Sequence, residues 1–311
     1  MLSVLDAPAP SPPKAIVATI RGILAPVLGP LPRRLRFQQL SNAGSSGDFK
    51  TFWKVWAVGR EHDAFFVKHA TRGLRGSEMH AYLTGRGLPT PEFIGMASVD
   101  EDYVYIWRHV VGRADLTFRD YTSADVMNVA RALALIAAKT GDVAEKVPLR
   151  AEMLWVGPKA ADIRAYPALF EKKKIKRAYR AYAKREAKVL ERLASFPCTV
   201  LTHNDAKAPN VIRDGDRVTL VDWDSATLGP HGASLRVFAR HRDQLDAEAA
   251  EAYCRTLADH GMSADPRDVL FTLRAQEVFW GLATGLKHVN MARIVRGLLL
   301  AKTAFADIDP S

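Results

Sequence analysis

The chain has 311 residues, 48% of them hydrophobic and 25% charged, which is enough apolar material for a sizeable core and for two lobes or domains and argues against global disorder. No run of about eighteen uncharged apolar residues is present, so a membrane span is not expected, and two cysteines, Cys198 and Cys254, are too few for a disulfide framework and fit a reducing cytoplasm. The net charge of +10 invites a nucleic-acid or membrane-surface partner, but from Leu201 onward 13 basic residues face 15 acidic ones, so the excess belongs to the front of the chain and does not exclude a cationic substrate held further on.

Residues 1–33 form a proline-rich extension around the apolar run Ala15 to Leu28. Arg21 interrupts that run, and Asp6 and four prolines precede it, which reads better as a short amphipathic helix packed on the body than as a signal peptide; membrane-surface contact is the lesser alternative. Residues 34–111 then carry short runs rich in aromatic and β-branched residues: Leu35 to Leu40, Phe49 to Val58, Ala64 to Lys68 and Tyr103 to Val110. A single helix is expected from Arg75 to Gly85, stopped by Gly85, Gly87 and the prolines at 89 and 91. From residue 112 to the end helical periodicity dominates. Helices are expected over Ala124 to Lys139, Ala168 to Leu193, Ala247 to His260, Asp268 to Gly285 and Ala292 to Ala304, with one compact β-rich stretch from Thr199 to Val221. The basic run opening at Glu171 reads as a solvated face over a buried stripe.

Chemistry concentrates in that β-rich stretch. His203-Asn204-Asp205-Ala206-Lys207-Ala208-Pro209-Asn210 is followed by the apolar strand Val218 to Val221 and then by Asp222-Trp223-Asp224. A carboxylate beside an acceptor hydroxyl, followed by an amide oxygen and a further carboxylate converging on Mg²⁺, is an arrangement suited to phosphoryl transfer, because Mg²⁺ takes hard oxygen ligands. Further forward, Ser41 to Phe49 includes Gly44, Ser45, Ser46 and Gly47, small residues that let backbone N–H groups approach phosphates, although a plain hairpin would use the same residues.

His-x-Asp with an asparagine five residues later, and Asp-Trp-Asp twelve residues after that, resembles the aminoglycoside phosphotransferase and choline kinase-like family of the protein-kinase-like superfamily. The resemblance implies an α+β, two-lobed protein-kinase-like fold, with a small β-rich N-terminal lobe (34–111, ending in a hinge) and a larger, mainly helical C-terminal lobe (112–311). It implies ATP and Mg²⁺ as cofactors and a small-molecule hydroxyl as acceptor. It also implies that Asp205 is the catalytic base or hydroxyl-orienting residue, that Asn210 and Asp222 bind the metal, and that Asp224 contacts a second metal or its water. Lys207 matches a lysine that protein kinases place two residues after the base and would touch the transferring phosphate. Lys68, ending a buried strand, would pair with Glu78 on the following helix and grip the α- and β-phosphates. Backbone groups of Arg108, His109 and Val110 would meet the adenine edge, with Trp107 in the core.

Three departures from the family pattern stand out. Asn204 replaces a common glycine, Lys207 a common histidine, and Ser234 the aspartate that braces the catalytic-loop backbone; a serine hydroxyl can accept one of the same hydrogen bonds. A protein kinase, or a nucleotide-binding pseudokinase serving as an interaction module, is the rival reading, and a nucleic-acid partner is disfavoured. Asp243, Asp246, Glu248, Glu251, Asp259, Asp265 and Asp268 lie where resembled enzymes hold amino-sugars or amino-alcohols, although solvation of helix surfaces explains them equally well.

Overall fold

The computed structural model describes residues 12–29, 34–40, 49–71, 77–115, 121–147, 149, 160–238 and 243–308. Gly44, Ser45, Ser46 and Gly47 lie outside these described residues. In chain order the elements are α1 (Lys14–Leu28), β1 (Leu35–Leu40), β2 (Phe49–Ala57), β3 (Phe65–Ala70), α2 (Ser77–Leu83), β4 (Phe93–Val99), β5 (Asp102–Arg108), β6 (Arg113–Ala114), α3 (Ser123–Lys139), α4 (Val143–Lys146), α5 (Ala160–Arg164), α6 (Lys173–Ala194), β7 (Val200–Thr202), β8 (Val211–Asp214), β9 (Arg217–Leu220), β10 (Thr227–Gly229), α7 (Asp243–Ala258), α8 (Pro266–Lys287) and α9 (Met291–Ala304). Two compact units result: Met1–Asp120 with Lys207–Ser225, and Tyr121–Ala206 with Ala226–Ser311.

The first unit is built on an antiparallel sheet in the order β1-β2-β3-β5-β4. Successive strand residues face opposite sides, so β3 and β5 sort their side chains into two layers. Phe65, Val67, Val104 and Ile106 meet Ile16, Ile20, Leu24 and Leu28, a four-residue repeat that runs down one side of α1. Helix α1 is thus part of the core. Phe66, Tyr105 and Trp107 form the opposite layer, and Lys68, in register with Tyr105, shares their parity.

A second small sheet, β6-β8-β9, completes this unit. Its approach to the segment after β5 requires glycine: a Cβ on Gly112 would lie 2.6 Å from the Arg213 carbonyl oxygen, and φ there is 144°. The Leu220 N–H donates to the Pro89 carbonyl (2.8 Å), tying β9 to the segment between α2 and β4.

In the second unit, α6, α8 and α9 enclose a core that includes Tyr182, Leu193, Phe279, Leu282, Leu298 and Phe305. Helix α6 buries Ile175, Ala178, Tyr182, Val189 and Leu193 and leaves Lys173, Lys174, Lys176 and Lys184 exposed, the solvated basic face expected of it. It begins at Lys173 rather than Ala168, because Pro167–Phe170 forms a separate 3-10 turn and Lys172 is extended. Asp265 caps α8 by accepting the Arg267 N–H (2.8 Å). No helix among the described residues is long and apolar enough to cross a membrane.

Three strands were not expected: the two- and three-residue strands β6 and β10, and the longer β4. β4 pairs with β5 through a register shift between Phe93 and Gly95, and its alternation is shallow because most of its residues are only half-buried. A half-exposed edge strand starting just after two prolines carries little periodic signal.

Candidate active site

Lys68 leaves β3 with its side chain only 8% exposed, and its Nζ lies 3.1 Å from Asp222 Oδ1 and 3.0 Å from Asp224 Oδ2. A buried ammonium needs counter-charges, and here two carboxylates from a segment more than 150 residues later supply them. The geometry is also informative about the carboxylates. They converge on one cationic nitrogen, so both are within reach of a single cation.

The backbone beneath these groups is specialised. Asp222 has φ 67°, a left-handed conformation that non-glycine residues rarely adopt, and one often found at functional sites. Trp223 is fully buried and donates its Nε1–H to the Leu220 carbonyl (3.1 Å), which fixes the turn. Buried Asn210 accepts the Val221 N–H on its backbone oxygen (3.0 Å) and donates its own N–H to the Lys207 carbonyl (2.8 Å). These bonds tether Asn210 to the residue just before Asp222. Lys207 is half-buried.

Glu78 does not partner Lys68, contrary to expectation. It sits exposed in the first turn of α2, where a carboxylate suits the positive end of the helix, and Lys68 takes Asp222 and Asp224 instead. The residue that α2 turns inward is His80, which the motif reading missed. Its Nε2 lies 3.4 Å from Asp224 Oδ1, and its ring packs edge-on against Trp107 (centroids 5.1 Å apart) and beside Phe93 (6.0 Å). A signal was available: each helical residue turns about 100°, so the apolar pair Met79 and Leu83 define a buried side that includes His80 and leaves Glu78 outside.

Burial raises the Asp224 carboxyl, yet the hydrogen bond from His80 and the charge of Lys68 outweigh it and hold the group well below the usual carboxylate range. Asp224 is therefore ionised at neutral pH.

The front half of the motif lies in the second unit and is held by neutral hydrogen bonds. Asn204 has φ 61°, which explains how it stands where a glycine is common: asparagine tolerates the left-handed region. Its Nδ2 donates to Thr227 Oγ1 (2.6 Å), and Thr202 Oγ1 donates to the Thr227 carbonyl (3.1 Å). The His203 N–H donates to Ser234 Oγ at 2.8 Å, so serine does accept a hydrogen bond from the loop backbone. Asp205 follows, half-buried, with its N–H donated to the His203 carbonyl (2.8 Å).

At the end of β5, the N–H groups of Arg108 and His109 are already engaged by the Glu92 carbonyl (2.8 Å) and the Ala64 carbonyl (2.9 Å). The Arg108 side chain pairs with Glu92 and Asp63, and burial, with Lys54 nearby, lowers the His109 pKa. Of the three expected adenine contacts, Val110 alone keeps its N–H outside these bonds. Trp107 is a core residue, as expected.

Several carboxylates expected to face a cationic acceptor have local partners. Asp265 caps α8 and binds Arg267, Asp268 pairs with Arg192 (2.9 Å), and Glu251 lies 3.7 Å from Arg255. Helix capping and surface pairing account for these three.

A family model described as the phosphotransferase enzyme family matches residues 45–271. No curated relative matches the sequence. Among solved structures, the chain is similar to an aminoglycoside phosphotransferase of Alicyclobacillus acidocaldarius (TM-score 0.58, 12% identity, 97% of this chain and 96% of that one). It is also similar to a choline kinase of Cryptosporidium parvum (0.56, 14%, 94% and 94%). A thermostable mutant of the aminoglycoside phosphotransferase APH(4)-Ia, solved with ADP and hygromycin B, gives 0.56 at 15% identity, over 94% of this chain and 100% of that one. At these identities the likeness establishes the protein-kinase-like fold, α+β with a β-sheet N-terminal region and a helical C-terminal region.

Proposed function

Because the chain belongs to the phosphotransferase enzyme family, we propose that it transfers the γ-phosphoryl group of ATP to a hydroxyl of a small molecule, an amino-sugar, amino-alcohol or sugar, in the presence of Mg²⁺. The observation that carries this reading is the convergence of Asp222 and Asp224 on the Lys68 ammonium. Two carboxylates within reach of one cation, with a buried asparagine tied to the adjoining backbone, form an oxygen-rich set suited to Mg²⁺, and Lys68 is a cation suited to phosphate oxygens.

In this reading Asn210 and Asp222 hold the metal, and Asp224 holds a second metal or its water. Lys68 exchanges its carboxylate partners for the α- and β-phosphates. Bound Mg²⁺ supplies charge neutralisation on the phosphate oxygens. Asp205 accepts the proton of the acceptor hydroxyl as the hydroxyl oxygen attacks the γ-phosphorus, the bond from that phosphorus to the β,γ-bridging oxygen breaks and ADP leaves, and Lys207 steadies the charge on the transferring group. The Val110 N–H is the hinge donor for the adenine edge. The ligands of the structural relatives, hygromycin B among them, support testing amino-sugars first.

The test is ADP release by purified protein with ATP and Mg²⁺ across a panel of hydroxyl acceptors, with Asp205→Asn as the control. Acceptor-dependent release that the variant abolishes is expected. Nucleotide binding with no turnover against any acceptor would favour a pseudokinase, and release that survives Asp205→Asn would remove Asp205 from the role of base.

A further inference from the structure

Lys68 holds one oxygen of Asp224 and His80 approaches the other. These two contacts have different futures if the reading above holds, because Lys68 must turn to the phosphates when nucleotide binds whereas His80 has no phosphate to serve. We propose that His80 is a positioning residue that couples α2 to the nucleotide site by holding Asp224 in its metal-binding orientation, the coupling expected of Glu78.

The polarity of this coupling follows from the local charge. Asp222 and Asp224 bring two negative charges to one ammonium, so an additional carboxylate reaching in from α2 would add repulsion. A hydrogen-bond donor serves better. Since Asp224 is a carboxylate and can only accept, Nε2 of His80 carries the proton in this contact. The imidazole is built in rather than draped over the surface: its side chain is 4% exposed, and Trp107 and Phe93 pack against it. Met79 and Leu83 bury the same side of α2, so a shift of the helix would move the donor. At 3.4 Å the bond is long, consistent with Lys68 drawing the other oxygen to 3.0 Å.

The experiment measures ADP affinity by calorimetry in the presence of Mg²⁺ and again in chelator, and takes the ratio as the metal-dependent part of binding. The variants are His80→Leu, which keeps an apolar side chain against Trp107 and Phe93 but has no donor, His80→Gln, whose side-chain amide restores a donor, and Glu78→Ala. Loss of about tenfold in the ratio is expected for His80→Leu, the scale of one hydrogen bond to a charged group. His80→Gln should recover most of it, and Glu78→Ala should leave it unchanged. A merely structural histidine would weaken binding in chelator as much as in Mg²⁺, or lower the melting temperature with the ratio intact; either result overturns the proposal. So does a Glu78→Ala effect larger than that of His80→Leu. If His80→Leu does not fold, His80→Phe, an apolar ring without a donor, takes its place: the same loss in the ratio supports the proposal, and an intact ratio overturns it. A wild-type protein with no metal-dependent ADP binding overturns the functional reading itself, which separates the two failures.

Discussion

The run from His203 to Asp224 is one motif in the sequence and two different constructions in the structure. Its later half joins the sheet-bearing unit and is held by charge: Asp222 and Asp224 each lie about 3 Å from the Lys68 ammonium, with His80 behind Asp224. Its front half joins the helical unit and is held by neutral groups, with Ser234, Thr227 and Thr202 supporting His203 and Asn204. The difference teaches where tolerance lies. A charged cluster can exchange one cation for another, as a nucleotide-binding site must, whereas a loop fixed by short neutral bonds keeps one conformation and can present Asp205 in a constant orientation.

The largest effect should come from the loop that the neutral half presents. Asp205→Asn should lower kcat by roughly 10²–10⁴-fold, the usual contribution of a positioned base, while ADP affinity stays within a few-fold; loss of nucleotide binding instead would break the division of roles. Asp222→Ala should do the reverse, weakening nucleotide binding in Mg²⁺ but not in chelator, and an unaltered Mg²⁺ titration would count against it.

Lys68→Ala sharpens the charged side of the comparison. It should raise KM for ATP and lower kcat. It should also leave Asp222 and Asp224 without their shared cation, so Mg²⁺ alone should raise the melting temperature of the variant more than that of wild type. Equal shifts would mean that the carboxylates do not share a cation site.

Ser234→Ala tests the neutral side. Removing the acceptor of the buried His203 N–H should cost about 1–3 kcal/mol of stability in a denaturant titration and reduce kcat several-fold with KM for ATP unchanged. Ser234→Asp, which restores a carboxylate acceptor, should retain activity. A change in KM matching that in kcat would erase the distinction between the two halves.

The smallest effect concerns pH. His231 hydrogen-bonds Tyr253 at 3.1 Å, and burial lowers its pKa below 6.5. The folded protein thus favours the neutral ring and the unfolded chain binds more protons as pH falls below about 6.5, so this contribution to stability is present above that value and is lost on going down through the folded pKa. His231→Gln should flatten the difference in melting temperature between pH 7.5 and 5.5; an unchanged slope would assign the acid sensitivity elsewhere.

Much of this was legible in the sequence. Leu35 to Leu40 was expected as a strand and is one, and the helix expected from Ala124 begins one residue earlier and ends at Lys139. The repeat Ile16, Ile20, Leu24, Leu28 marks α1 as amphipathic, but only the structure shows that it covers Val67 and Ile106. Asp205, Asn210, Asp222 and Asp224 could be singled out as candidates because they lie within twenty residues of chain, at a spacing constrained by a turn, a short helix and a hairpin. By itself, then, the sequence determined local things: element type from periodicity, and a phosphoryl-transfer motif from side chains close in the chain. The tertiary structure decided which charges share a counter-ion. Lys68 and Glu78 are ten residues apart, yet Lys68 is paired with residues more than 150 positions away, because the pleat of β3 aims it at one layer while the rotation of α2 aims His80, and not Glu78, at the same place. Partner choice in a buried charge cluster depends on those directions and on total charge balance, and neither is a property of any short stretch of sequence.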